Sequence, residues 1–392
     1  MIEILEKDKC CGCYACVNIC PKKCISMKYD EEGFAYPVVN KDKCINCGLC
    51  EKACPTLKSL NLEKYDYEGY VCYNTNEKSR ENSSSGGIFI LLCEEIINKN
   101  GVVFGAAFDE NFSVRHFSAE TLKECEKFKG SKYVQSQIGN TYAEAKKFLE
   151  QGRMVLFSGT QCQIKGLNLY LNKKYENLVT VDIICHGVPS PMVFEKYKEL
   201  LKKEYNSDIN RIRFRDKRIG WKKFSFTADF ENNLCYTKDL KEDPYLKGFL
   251  SNLYLRPSCY ECASKNFSDG ADISLADYWG VEYKHPEFFD DKGSSLLLVN
   301  SKKGKAILED ISDKIKYSKT DLEFAISMNK CIIQPTFKTK RRKDFFEEMN
   351  KNGIIPAIEK LSKPTFSSKV KKKIEKVKNK IKSAIKKIIG RK

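Results

Sequence analysis

Along the chain the spacing of apolar residues switches between two periods, and the switches divide it. Between residues 70 and 205, short apolar runs alternate with stretches whose apolar positions recur every three or four residues. That pattern predicts strands at 70–73, 102–108, 114–117, 154–157 and 179–184, and helices at 87–98, 140–149, 161–171 and 192–205. Strands alternating with helices in this way make an α/β unit. Residues 209–236 then alternate apolar against polar, at Ile212, Phe214, Phe224, Phe226, Ala228 and Phe230, which predicts antiparallel strands. Two more apolar runs of strand length follow at 271–279 and 294–300, and 302–362 reads as helical and basic. Ahead of this unit, 58–68 is polar and reads as a linker, while 1–57 offers a β segment near 33–39. At the far end, 369–392 sets Ile374, Val377, Ile381, Ile385 and Ile388 three or four apart among lysines, which predicts a basic amphipathic helix.

Composition narrows the class. A chain of 392 residues exceeds one ordinary domain, and its 42% apolar share with 23 Phe supports a well-buried core. No apolar run reaches the roughly 18 residues that a membrane-spanning helix needs. The stretch from Met1 to Lys7 lacks the basic-then-apolar order of an export signal, so a reducing cytoplasm is expected. The net charge of +17 resembles a nucleic-acid signature, yet 369–392 alone carries +11, leaving +6 for the other 368 residues. The basic signal belongs to the tail, which lacks the interleaved aromatics that stack on bases. Nucleic acid is therefore disfavoured, and the tail suits an anionic membrane surface, at the inner face of the membrane, or an acidic partner, weighed against a solvated terminus that merely aids solubility.

Chemistry concentrates in residues 10–55, which hold ten of the 19 cysteines. Cys10, Cys13, Cys16 and Cys20-Pro21 form one C-x2-C-x2-C-x3-C-P run, and Cys44, Cys47, Cys50 and Cys54-Pro55 repeat its spacing. This is the pattern for two [4Fe–4S] clusters in which the fourth cysteine of each run serves the other cluster. One cluster then takes Cys10, Cys13, Cys16 and Cys54, and the other takes Cys44, Cys47, Cys50 and Cys20. Zinc sites use four ligands in two spaced pairs, and a disulfide scaffold needs an oxidising compartment, so neither suits the pattern. Cys11 and Cys24 fall outside it and read as packing thiols.

The α/β unit carries weaker signals. Ser83-Ser-Ser-Gly-Gly87 lies between a strand and a helix, where backbone N–H groups could face a phosphate or flavin, or simply cap the helix. Phe157-Ser-Gly-Thr-Gln-Cys162 and Asp182-Ile-Ile-Cys185-His186-Gly each leave a strand at the sheet edge where such folds bind ligands. Cys259 and Cys262 form a lone C-x-x-C, open among zinc, redox dithiol and iron–sulfur use. A cluster there needs two further ligands, and Cys162 and Cys185 are the candidates. Cys72, Cys93, Cys125, Cys235 and Cys331 lack partners at ligand spacing and read as core residues.

Taken in order, the cysteine runs followed by S-S-S-G-G-I-F, G-V-V-F-G-A-A-F, S-K-Y-V-Q-S, S-G-T-Q-C-Q, C-H-G-V-P-S, C-Y-E-C and D-I-S-L-A-D-Y-W-G resemble the coenzyme F420 hydrogenase/dehydrogenase beta-subunit family over about residues 1–300. The resemblance implies an iron–sulfur flavoprotein oxidoreductase. Its fold would be an α+β ferredoxin-like N-terminal module at 1–57, then an α/β flavin-binding domain with additional antiparallel strands at 69–300. A helical C-terminal region at 301–368 and the basic tail at 369–392 follow. It implies FAD that exchanges hydride with coenzyme F420 or another organic acceptor. Ser85, Gly86 and Gly87 would line the flavin with Lys132, Tyr133 and Ser136, and Gly159, Thr160 and Gln163 would complete the pocket. Cys162, Cys185, Cys259 and Cys262 would hold a third [4Fe–4S] cluster. Gln161 stands where the family usually has proline, which leaves the hydrogen bonding of that turn open. His186 is the candidate proton donor, weighed against a structural role. Partners implied are an electron donor or acceptor protein, or coenzyme F420, with the chain as a complex subunit or homo-oligomer. The rivals are a non-catalytic electron-transfer subunit and a membrane-recruited adaptor with a vestigial redox domain.

Overall fold

The computed structural model describes residues 1–4 and 6–363, so the basic segment 369–392 lies outside the described residues. In the cysteine-rich region, β1 (Ile25–Tyr29) pairs antiparallel with β2 (Ala35–Val39), Ile25 facing Val39. The Asp30 carboxylate closes the turn between them by accepting the N–H groups of Glu32 and Phe34. Gly33 sits there at φ +80°, and a Cβ would fall 2.3 Å from that of Met192, so only glycine lets this ribbon seat on its neighbour. Glu32 fixes the docking, since its carboxylate pairs with Arg342 (2.8 Å to Nη1) and its carbonyl accepts from Ser190 Oγ.

The remaining strands are β3 (Glu68–Asn74), β4 (Val102–Phe108), β5 (Val114–Ala119), β6 (Val155–Thr160), β7 (Leu178–Ile183), β8 (Ile209–Asp216), β9 (Ser225–Phe230), β10 (Cys235–Asp239), β11 (Ile273–Asp277), β12 (Ser295–Val299) and β13 (Ile315–Thr320). Eight of them form one mixed sheet in the order β13-β3-β12-β11-β7-β6-β4-β5. Its centre is parallel, with β4, β6, β7 and β11 aligned, and β12 runs antiparallel between β11 and β3. Val103, Phe104, Leu156, Phe157, Val179, Val181 and Leu296 are fully buried, the unbroken apolar runs expected of strands covered on both faces. The C-terminal ends of β3, β4, β6, β7 and β11 consequently open onto one edge, and the turns bearing Gly86, Gly159, Thr160 and Cys185 leave from there.

The alternating residues of 209–236 do form antiparallel strands, β10-β9-β8, which bury Phe214, Phe224, Phe226, Phe230 and Tyr236 against the helices Pro191–Tyr205, Pro244–Leu250 and Ile354–Ser362. The expectation of a wholly helical stretch from 302 to 362 is corrected. Helices Lys302–Asp310, Leu322–Met328, Arg342–Asn352 and Ile354–Ser362 are present, but Ile315–Thr320 is a strand that pairs antiparallel with β3. Its lysines, Lys316 and Lys319, point to solvent from the sheet edge, a placement that discourages edge-to-edge association and hides the strand among basic residues. β1 also goes beyond the single β segment expected between the cysteine runs. No helix among the described residues is long and apolar enough to cross a membrane.

Candidate functional site

Each cysteine run curls around a hollow. Left-handed residues, Gly12 (φ +68°) and Tyr14 (φ +64°) in the first loop, Asn46 (φ +52°) and Gly48 (φ +72°) in the second, bend the chain twice within a few residues. The first hollow, about 320 Å³, is lined by Cys10, Cys13 and Cys16 with Cys54 from the other run. The second, about 350 Å³, is lined by Cys44, Cys47 and Cys50 with Cys20 from the first run. The thiols ring a space and do not converge on a point: among the described residues, no three His, Cys, Asp or Glu are close enough to hold a single metal ion. A ring of four suits a polynuclear cluster better than lone zinc. Burial pushes the Cys10 and Cys16 thiols up from their ordinary range, so thiolates in such a hollow need a countercharge of the kind iron supplies. Backbone N–H groups add to this, as Ile2 does toward Cys50 Sγ at 3.3 Å.

A third hollow, about 550 Å³, opens at the sheet edge and is lined by Cys162, Cys185, Cys259 and Cys262. Cys162 stands in the first turn of the helix Gln161–Leu171 after β6, and Cys185 follows β7. Cys259 and Cys262 lie in and after the short 3-10 helix Pro257–Glu261, where Val188 N–H donates to Cys259 Sγ at 3.4 Å. Burial pushes the Cys185 thiol up to about 12. The Gln161 amide oxygen accepts from the buried Lys265 ammonium (2.9 Å), which also reaches the carbonyls of Cys185 and Cys331, so this turn is held by a side chain where a proline would hold it by its ring. Cys11, expected to be a packing thiol, lines both this hollow and the first. The same helix also touches the first hollow directly: a Cβ on Gly166 would lie 3.0 Å from Cys13 Sγ. Cys24 lines the second hollow, its sulfur 3.4 Å from that of Cys20.

The residues assigned to the flavin fall into two groups. Gly86 packs over β3 and β12, its N–H donating to Ser295 Oγ, and Ser84 Oγ accepts from Ser131 N–H. Ser85 and Gly87 flank it, and the Lys217 ammonium donates to the Ser85 carbonyl. Ser136, Gly159, Thr160 and Gln163 gather at the end of β6, where Thr160 and Gln163 cap the helix reciprocally. Between the groups, Lys132 directs its ammonium to the carbonyls of Lys127, Phe128 and Lys129, and Tyr133 stacks on Phe249 at 4.6 Å.

His186 lines the third hollow, with Nε2 2.6 Å from Asn252 Oδ1 and Nδ1 3.8 Å from Cys331 Sγ. Burial lowers its pKa, which keeps the ring neutral at pH 7. Cys72, Cys93 and Cys125 are core residues as expected; Cys235 is instead exposed on β10, and Cys331 is only half-buried beside His186. Three other residues carry no motif of their own: Arg256, Lys265 and His116. His116 bridges Ser136 Oγ and the Ser158 carbonyl from β5, where it stands beside the polar Arg115 and Ser118 and no sequence signal sets it apart.

Residues 152–323 match the family model described as the C terminus of the coenzyme F420 hydrogenase/dehydrogenase beta subunit, and residues 9–57 match that of a 4Fe-4S dicluster domain. The cysteine-rich module is thus an iron–sulfur module. No curated protein matches the chain. Among solved structures, a chain from the xenon-derivatised F420-reducing [NiFe] hydrogenase complex of Methanosarcina barkeri is similar at 17% identity and a TM-score of 0.45, over 76% of this chain and 91% of that one.

Proposed function

The chain belongs to the coenzyme F420 hydrogenase/dehydrogenase beta-subunit family, and from that membership we propose an iron–sulfur flavoprotein oxidoreductase that links ferredoxin-type clusters to a bound FAD, with coenzyme F420 or another organic molecule as its hydride partner. When bound, the clusters supply single-electron carriers and the flavin supplies the exchange between single electrons and a hydride pair. The observation that carries this reading is the succession of three cysteine-ringed hollows, the second reaching the surface at the exposed Cys47 and the first sharing Cys11 with the third. Cys162, Cys185, Cys259 and Cys262 would hold the third [4Fe–4S] cluster, with Val188 N–H stabilising one thiolate.

For the flavin, Ser85–Gly87 and the Gly159–Gln163 group leave strands β3 and β6, four strand spacings apart in the sheet, roughly 19 Å. That separation suits a dinucleotide stretched along the sheet edge better than a compact mononucleotide. His186, neutral in its buried setting, would accept a proton at Nδ1 rather than donate one, a reading supported by Nε2 facing Asn252 Oδ1.

A second reading, a non-catalytic electron-transfer subunit, draws on Lys132 and Tyr133, whose side chains are engaged within the protein. Anaerobic purification separates the two. Releasable FAD that F420H2 or another hydride donor reduces supports the enzyme, clusters without flavin support the electron-transfer subunit, and a colourless preparation ends both.

A further inference from the structure

Buried arginines in this protein face carboxylates: Arg80 pairs with Asp290, Arg215 with Asp277, and Arg342 with Glu32. Arg256 differs. It is fully buried, and its guanidinium donates to the carbonyls of Cys10 (2.7 Å) and Ala35 (2.9 Å), to Gln135 Oε1 (2.9 Å) and toward Cys10 Sγ at 3.5 Å. None of these partners is a carboxylate, and a buried charge without a countercharge is strongly unfavourable. The one partner able to carry negative charge is the Cys10 thiolate. Gly12 makes the approach possible, because a Cβ there would lie 2.8 Å from Arg256 Nη1. The Arg256 carbonyl meanwhile accepts the Cys259 N–H at 3.0 Å, so one residue braces ligand loops of the first and third hollows.

We propose that Arg256 tunes the redox equilibrium of the cluster held by Cys10, Cys13, Cys16 and Cys54, favouring its reduced form. The step concerned is a one-electron reduction in which no bond breaks and no proton moves, the electron coming from an external low-potential reductant. Reduction adds one negative charge inside a dry hollow, which burial opposes; a fixed guanidinium at a ligand sulfur offsets that opposition, since cluster potentials follow net charge, hydrogen bonds to sulfur and exposure. The two cysteine runs have identical spacing, so the asymmetry between their clusters comes from surroundings. Arg256 stands beside the first, while Cys47 of the second is exposed to solvent. The proposal rests on the dicluster module and not on the flavin reading.

The test is an anaerobic redox titration of the full cluster-loaded chain followed by electron paramagnetic resonance, comparing Arg256→Gln and Arg256→Lys. Arg256→Gln disfavours reduction of one cluster at least tenfold, which is 59 mV for a one-electron couple. The other signals move less than threefold, and Arg256→Lys recovers more than half of the change. Gln135→Glu, which sets a carboxylate against the same guanidinium without deleting it, shifts the same cluster in the same direction and carries the test where Arg256→Gln fails to retain iron. Unshifted signals in an iron-replete variant overturn the proposal. So does loss of iron in both Arg256→Gln and Gln135→Glu, which would make Arg256 a structural tie only.

Discussion

Replacing Gly166 by alanine probes the seam between the iron–sulfur module and the central sheet, and the sign of its effect is diagnostic. Gly166 lies inside the helix Gln161–Leu171, where glycine costs about 1 kcal/mol relative to alanine. At an open position, Gly166→Ala would therefore stabilise the protein by about that amount. The added Cβ instead meets Cys13 Sγ at 3.0 Å, Cys13 Cβ at 3.1 Å and Tyr142 Oη at 3.2 Å. Tyr142 has little room to yield, being fully buried and hydrogen-bonded through Oη to the Gln163 carbonyl. Cys13 can rotate away as a free thiol but not as a cluster ligand. Overpacking of this kind costs about 1–3 kcal/mol, so in the loaded protein it cancels or outweighs the helix gain and leaves a net loss of up to about 2 kcal/mol. That corresponds to up to roughly 30-fold weaker retention of the cluster. The assay is the rate at which a chelator bleaches the iron–sulfur absorbance, run beside urea unfolding of the iron-free chain. Faster bleaching with little change in the iron-free chain is the expected result. Slower bleaching, with stabilisation near 1 kcal/mol in both forms, would refute the contact between this helix and the first hollow.

Cys162→Ser should remove iron equivalent to one cluster while the ferredoxin-type signals persist, whereas Cys331→Ser, beside His186 but outside the lining of the third hollow, should leave the iron content unchanged; iron and sulfide analysis decides. His116 gives a pH signature: burial lowers its pKa to about 4 from an unfolded value near 6.5. The unfolded chain then binds the proton first, so the contribution is complete above pH 6.5 and is lost as pH falls toward 4, at most about 3 kcal/mol. Urea midpoints across that window should flatten in His116→Gln, and an unchanged slope would contradict this origin. Deleting residues 369–392 should abolish co-sedimentation with anionic vesicles, and unchanged sedimentation would remove the tail as an anchor.

The parts of this molecule that could be read in advance are those where chemistry constrains both residue type and spacing. Cubane ligation demands cysteines at short fixed intervals, so both rings around the first two hollows were legible down to their exchanged fourth members. Cys162 and Cys185 could be matched with Cys259 and Cys262 because parallel strands deliver their C-terminal turns to one edge, a consequence of topology that the apolar runs already encode. Cys11 had no such signal: its place between two hollows depends on how the module docks, through Glu32, Gly33 and Gly166. Arg256 was equally hidden, since nothing local distinguishes a buried arginine facing thiols from one facing a carboxylate. β13 was missed because Lys316 and Lys319 dilute an apolar pattern that only an edge strand tolerates. The flavin candidates show the limit of motif reading, for Gly86 is also required by close packing on the Cys72 carbonyl, 2.7 Å from where its Cβ would be.

The central claim is that three rings of four cysteines each hold a [4Fe–4S] cluster beside a flavin. Iron, acid-labile sulfide and releasable FAD, counted per chain in anaerobically purified full-length protein, test it most directly. The account predicts iron and sulfide equivalent to three [4Fe–4S] clusters and one FAD. Iron equivalent to two clusters, with no flavin, would contradict it.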